Sequence, residues 1–254
     1  MSDRCTLLFM ERDFYKTYFE LEKSNWWFRV RRNIILSILE KYDIGKDNKI
    51  LDYGCGSGFL VGQLQDKSLD AYGADISKEA IEFGTNRGTK NLSQLSGIEV
   101  NFSDGCFDTI LAMDVIEHIE DDESVVKELE RLLKPGSYLI ITVPAYQWMW
   151  GVQDEVAHHY RRYTMSSVQN LITNNTNLKF LKKSYFNTFL FPSVALVRLI
   201  SKWLNIKSRE SDFDLNNNFL NSLLYGIFNF ESKFLRYINF PFGVSILLIL
   251  TNEK

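Results

Sequence analysis

Ile50-Leu51-Asp52-Tyr53-Gly54-Cys55-Gly56-Ser57-Gly58 places a short apolar run, an acid and a glycine-rich turn in immediate succession. The residues that follow, Phe59-Leu60-Val61-Gly62-Gln63-Leu64, carry a helical pattern. Glycine has no Cβ, so such a turn lets a bulky ligand lie directly against backbone. A strand feeding a glycine turn into a helix is where open α/β sheets bind nucleotide-like cofactors. A dinucleotide fingerprint needs G-x-G-x-x-G. Here the glycines fall at 54, 56 and 58, and Phe59 stands where the third dinucleotide glycine is required. Asp52, just ahead of the first glycine, would repel a pyrophosphate and attract an ammonium group. Ala71-Tyr72-Gly73-Ala74-Asp75 reads as a second strand ending in an acid. An acid there suits ribose hydroxyls. The pattern predicts a site for an adenosine carrying an amino-acid tail.

The chain of 254 residues is long enough for one α/β domain with an appended subdomain. Its net charge of −3 and the absence of a basic run do not favour nucleic acid as a partner. Cys5, Cys55 and Cys106 form no C-x-x-C, which fits a reduced, cytoplasmic setting. Met1-Ser2-Asp3-Arg4 opens no signal-peptide pattern, and no apolar run is long enough to span a bilayer. Aromatic residues make up 14% of the chain and concentrate in its second half, which asks for an explanation.

Residues 14–42 read as a helix containing Trp26-Trp27-Phe28. Lys78 to Thr85 reads as another, with Ser77 as its N-cap. A third strand is expected over Ile98 to Phe102 and a fourth, buried on both faces, over Phe107 to Met113. The acidic cluster Glu120-Asp121-Asp122-Glu123 opens a helix that Lys134-Pro135-Gly136 stops. Tyr138 to Val143 is a buried strand, residues 165–173 a helix, Leu178 to Tyr185 a sixth strand and Val244 to Leu250 the last. Alternating strands and helices predict an α/β, doubly wound, mostly parallel seven-stranded sheet. The boundaries are a core with an N-terminal helical lid over 1–188, a helical cap insertion over 189–240, and the last strand of the core over 241–254. The cap is inferred because a hairpin between adjacent strands needs only a few residues.

Four ordered motifs then carry a resemblance. They are the glycine turn, Gly73-Ala74-Asp75-Ile76-Ser77, Phe107-Asp108-Thr109-Ile110 with Asp114-Val115-Ile116-Glu117-His118-Ile119, and Leu133-Lys134-Pro135-Gly136 running to Pro144. From Asp52 to Pro144 the chain resembles the Rossmann-like core of class I methyltransferases that use S-adenosylmethionine (SAM). Val143-Pro144-Ala145-Tyr146-Gln147-Trp148-Met149-Trp150, His159-Tyr160-Arg161-Arg162-Tyr163-Thr164, Trp26-Trp27-Phe28 with Arg31-Arg32, and Phe240-Pro241-Phe242-Gly243 resemble a narrower subgroup. That subgroup is often linked with cell-envelope polysaccharide and glycolipid enzymes.

The resemblance implies SAM as cofactor, with contacts from Asp52, Gly54, Cys55, Gly56, Gly58, Asp75, Ile76, Ser96, Met113 and Asp114. Asp52 would serve the methionine amine and Asp75 the ribose. Ser96 occupies the position where the family often has an adenine-binding acid; Glu99 is nearby at a different spacing. An N-terminal helix bearing Trp26-Trp27-Phe28 would cover the cofactor.

Methyl transfer to a hydroxyl needs a general base near the carboxyl ends of the strands. His159, with Asp154 to orient it, is the first candidate and His118 the second. Each has a structural alternative: His159, Arg161 and Arg162 pinning a loop, and His118 packing in one. No H-x-x-x-H or H-E-x-x-H spacing occurs, so no metal is expected. The expected function is methyl transfer, at oxygen, to a small-molecule or lipid-linked acceptor. The aromatic cap, edged by Arg198, Lys202, Lys233 and Arg236, suggests peripheral membrane contact. The rival readings are a non-catalytic SAM-fold partner protein and a nicotinamide-dependent oxidoreductase.

Overall fold

The computed structural model describes residues 19–203 and 218–253. Seven strands form one sheet in the order β3-β2-β1-β4-β5-β7-β6. β1 (Lys49–Tyr53), β2 (Asp70–Asp75), β3 (Leu92–Gln94), β4 (Phe107–Met113) and β5 (Leu133–Pro144) run parallel. β7 (Ser245–Thr251) lies antiparallel between β5 and β6 (Lys179–Phe186). The doubly wound sheet with an antiparallel last strand is therefore the one expected.

Helices cover both faces, which is why the central strands are apolar on both sides. On one face α1 (Trp26–Lys41), α2 (Phe59–Asp66) and α8 (Asn218–Leu235) bury Val30, Ile34, Val61 and Phe228 against Ile50, Leu111 and Ile140. On the other, α4 (Asp122–Leu132) and α6 (Met165–Asn175) bury Val125, Leu129, Val168 and Ile172 against Leu51, Ile110 and Ile141. α3 (Lys78–Asn86) is capped by Ser77, whose hydroxyl accepts the Ala80 N–H. Asp121 caps α4 by accepting the Ser124 N–H.

Two local expectations need correction. The helix expected over 14–42 is broken at Asn25, whose side chain accepts the Trp27 N–H and starts α1 afresh; residues 14–18 lie outside the described residues. The third strand is Leu92–Gln94 rather than Ile98 to Phe102. Side chains, not a neighbouring strand, satisfy that second segment. Glu128 accepts the Val100 N–H at 2.8 Å, and Arg131 donates to the carbonyls of Val100 and Phe102. Within α1, Trp26 and Trp27 are partly buried and pack against the core. Trp27 stacks on Phe186 and Phe228, Trp26 meets Phe228 edge-on, and Phe28 is buried.

From β1 the chain moves outward through β2 and β3, then returns to β4 on the other side of β1. The strand order reverses there, and ligands bind at such a switch point, outside the carboxyl ends of the strands. The region 189–240 holds α7 (Phe191–Trp203) and α8 among the described residues. α7 buries none of its residues.

Candidate active site

The glycine turn sits at the switch point. Gly54, Gly56 and Gly58 all have φ between 54° and 77°, the left-handed region that favours glycine. A Cβ on Gly54 would overlap Val115, whereas a Cβ on Gly56 would meet nothing within 4 Å. The turn is thus packed from behind at Gly54 and open to a ligand at Gly56. Gly84 of α3 lies so close that a Cβ there would overlap the Ser57 carbonyl, so α3 fixes the turn's height.

Asp75 ends β2 beside this opening. Its two oxygens accept the N–H groups of Gly56 at 2.7 Å and Ser77 at 2.9 Å. Each carboxylate oxygen has two acceptor sites, so capacity remains for a diol. Burial raises its pKa, and the backbone hydrogen bonds oppose that rise. Ile76, the next residue, is 46% exposed, an apolar surface at the mouth of the site. Ser96 is exposed two residues beyond β3, and Glu99 is exposed farther along the same loop. Cys55 is buried beneath the turn.

Asp52 is buried at the end of β1. Burial raises its pKa to about 7, and the Arg31 charge opposes the shift. Glu22, in the helical segment before α1, accepts from the Ser57 hydroxyl at 3.0 Å. Its pKa is likewise raised to about 7, chiefly by burial. Arg31 of α1 forms an ion pair with Asp114. Asp114 follows Met113 at the end of β4, has φ 56°, and accepts from the Thr142 hydroxyl at 3.0 Å. The N-terminal helices therefore cover the site through Glu22 and Arg31. Neither residue was singled out for the cofactor from sequence, because their targets lie far along the chain.

The second half of the site comes from the turns after β4 and β5. The Tyr160 N–H donates to the Glu117 carbonyl at 2.8 Å and joins the two turns. The Asp154 carboxylate, fully buried, bonds His159 Nδ1 at 2.8 Å and accepts from Arg162 Nε at 2.7 Å. Burial opposes ionisation of Asp154, but these hydrogen bonds outweigh it and hold the group at about 2. His118 meets the His159 ring edge-to-face at 4.4 Å. Desolvation and then the neighbouring His159 ring lower its pKa to about 4, although the residue as a whole reaches solvent. Arg161 pairs with Asp122 instead, and His158 is exposed. Glu117, which the sequence offered with the histidines only as a metal ligand at unsupportive spacing, is fully buried beside His118 and His159.

Residues 51–141 match the family model described as a methyltransferase domain. Over that stretch the chain is similar to methyltransferase domains. Among curated proteins it is similar to the ubiquinone biosynthesis O-methyltransferase of Vibrio parahaemolyticus, 28% identical over 49% of this chain and 59% of the relative. The namesake from Rickettsia typhi is 26% identical over 66% of this chain and 81% of the relative. Several of the relatives, the Vibrio protein first, are thus matched over less than two thirds of their own length.

Among solved structures, a SAM-dependent methyltransferase from Archaeoglobus fulgidus superposes with TM-score 0.54 at 16% identity, over 92% of this chain and 99% of that one. The [4+2]-cyclase SpnF reaches TM-score 0.58 at 16% identity, over 87% of this chain and 80% of that one. These likenesses establish the fold. The open cradle at Gly56 beside Asp75 has room for an adenosine with an amino-acid tail.

Proposed function

We propose that this protein transfers a methyl group from SAM to a hydroxyl of a small-molecule or lipid-linked acceptor. The observation that carries the reading is the pairing of an open glycine cradle beside Asp75 with a buried Asp154–His159 pair, joined across the carboxyl ends of β1, β4 and β5. The curated relatives are O-methyltransferases by name, which favours oxygen as the acceptor atom.

SAM supplies a methyl group already activated on a sulfonium. The protein's work is alignment and removal of the acceptor proton. Asp75 holds the ribose, Asp52 and Glu22 favour the ammonium, and Ile76 and Ser96 border the adenine. Cys55, Met113 and Asp114 complete the walls. Asp154 fixes the His159 ring and leaves Nε2 to take the hydroxyl proton. The discriminating experiment measures SAM and NADH binding to one preparation, then transfer of labelled methyl to phenolic and lipid-linked sugar acceptors. NADH binding without SAM binding would restore the oxidoreductase reading. SAM binding without transfer to any acceptor would favour a non-catalytic partner.

Two further expectations follow from the same site. Asp52 and Glu22 have raised pKa values, so in the free protein they are largely protonated below about 7. Their contribution to stability is present at low pH and is lost as pH rises through about 7. A bound ammonium favours the ionised forms, so SAM binding releases protons and tightens between pH 5.5 and 7, by up to about tenfold per pH unit for each proton. Calorimetry in two buffers of different ionisation enthalpy reads this directly. Affinity independent of both pH and buffer would remove these carboxyls from the ammonium site.

No helix of the described residues is long and apolar enough to cross a membrane. Yet Trp203 is 84% exposed and Phe219 75%, with Leu196, Val197, Leu199, Ile200, Leu223 and Phe230 also exposed. Lys202 of α7, Lys233 of α8 and Arg236 in the turn after it add positive charge to these segments, with Lys202 also donating to the Trp148 carbonyl and Arg236 pairing with Glu40. Such a face suits an anionic bilayer, and with it a lipid-linked acceptor of the kind used in envelope glycolipid chemistry. Co-sedimentation with anionic vesicles is expected to exceed that with neutral ones and to weaken in salt. Protein left in the supernatant at low salt would point to a water-soluble acceptor.

A further inference from the structure

The turns after β4 and β5 bring Glu117, His118 and His159 together, with one donor atom from each within 4.8 Å of the others. We propose that this cluster binds a divalent transition-metal cation through the Glu117 carboxylate, a His118 ring nitrogen and His159 Nε2. The site stands independently of methyl transfer; only its consequence for the acceptor rests on that reading.

Glu117 is the first reason. It is 0% exposed, and neither carboxylate oxygen has a hydrogen-bond partner among the described residues. A buried charge is tolerated when it is paired or coordinates a metal. Burial first and the Asp114 charge next push its pKa well above the usual carboxylate range, Arg31 and Arg162 oppose the rise, and none of these three residues hydrogen-bonds to it, so a cation would bind by displacing the proton. A cation between Glu117 and the histidines supplies the missing partner.

The second reason is the orientation of His159. Its Nδ1 is bonded to the Asp154 carboxylate, which leaves Nε2 as the free nitrogen. A ligating histidine almost always has its other nitrogen held by a carboxylate, a backbone carbonyl or water. Arg162 in turn holds Asp154, so the ring is braced twice over. The third reason is the donor set. Two imidazoles and a glutamate are the three protein ligands of one well-known catalytic zinc arrangement, with a fourth position open. Donors around a tetrahedral zinc sit about 3.3 Å apart, so the cluster must contract by up to about 1.5 Å. His118 is exposed and has room to make that adjustment. Linear spacing gave no sign of the site because its ligands come from two turns joined by the Tyr160–Glu117 backbone bond.

An acceptor hydroxyl at the open position would lose its proton to water more readily, as metal-bound water does. The acceptor O–H bond breaks with its proton passing to solvent. The new O–CH3 bond forms as the methyl–sulfur bond breaks, and the sulfur keeps that electron pair. With the cation bound, His159 is a ligand and no longer the proton acceptor.

The test is titration of the chelator-stripped full chain with Zn2+ alone, followed by calorimetry, and in parallel with Co2+, followed by visible absorption. One equivalent is expected to bind with Kd of about 1 µM or tighter. His118→Ala and Glu117→Gln should each weaken binding at least tenfold, and Asp154→Asn about 10–100-fold. His158→Ala, at an exposed neighbour, should change nothing. His118→Ala keeps the test decisive if Glu117→Gln fails to fold. No binding of either ion below about 1 mM, or binding unchanged by His118→Ala, overturns the proposal. SAM affinity measured on the same samples separates the two ideas. A protein that binds SAM but neither ion sinks this inference alone, and one that binds the ions but not SAM sinks only the proposed function.

Discussion

His159→Ala is expected to lower methyl-transfer turnover about 10²-fold or more while SAM affinity stays within about twofold of the parent protein. The split follows from geometry. His159 lies in the turn after β5, bonded to Asp154, whereas Gly56 and Asp75 of the proposed cofactor cradle lie at the ends of β1 and β2. Under the proposed function, loss of the ring would remove the group that takes the hydroxyl proton, or that holds the proposed ion, and would touch nothing in the cradle. Asp154→Asn should cost less in turnover but more in stability. Asp154 is depressed to about 2, so its contribution to folding is present above the ordinary carboxylate range and lost as pH falls through about 2. Its replacement also leaves the guanidinium of Arg162 short of its anionic partner. A His159→Ala protein that turns over at the parent rate on an identified acceptor would show the ring to be a structural pin. Raised KM for the acceptor with unchanged kcat would assign it to binding instead.

The difference between what local sequence revealed and what it hid has a physical pattern. The glycine turn, Asp75 and the β4 strand were legible because each depends on neighbours within a few residues: a positive φ, a strand end, a continuous apolar run. β3 was misplaced because Val100 and Phe102 find their hydrogen-bond partners on Glu128 and Arg131, about one helix away in sequence. The packing partners of the aromatic triplet in α1 were hidden for the same reason. Its partners Phe186 and Phe228 lie on β6 and α8, and only the fold brings them to Trp27. The same separation concealed Glu22 and Arg31. Each looks unremarkable beside its chain neighbours and acquires chemistry only from Ser57 or Asp114.

Gly56→Val should abolish measurable SAM binding, at least about 100-fold, in a protein that still folds. Two effects combine at this position. Its φ of 54° lies in the left-handed region, where a side chain costs roughly 1–2 kcal/mol. The added Cβ meets nothing within 4 Å of protein, so the branched side chain projects into the space the cofactor requires. Gly54 and Gly84 provide the contrast. A Cβ on Gly54 overlaps Val115, and one on Gly84 overlaps the Ser57 carbonyl, so substitutions there act on packing and lift the turn. Gly84→Ala is therefore expected to lower stability by about 1–3 kcal/mol, with affinity falling as a consequence. Paired thermal melts and calorimetry distinguish the cases. Gly56→Val should melt within a few degrees of the parent and bind no SAM, whereas Gly84→Ala should melt early. SAM binding retained by a folded Gly56→Val protein would mean that the cofactor does not lie against this turn, and the placement of the whole site at the β1–β4 switch point would have to be abandoned.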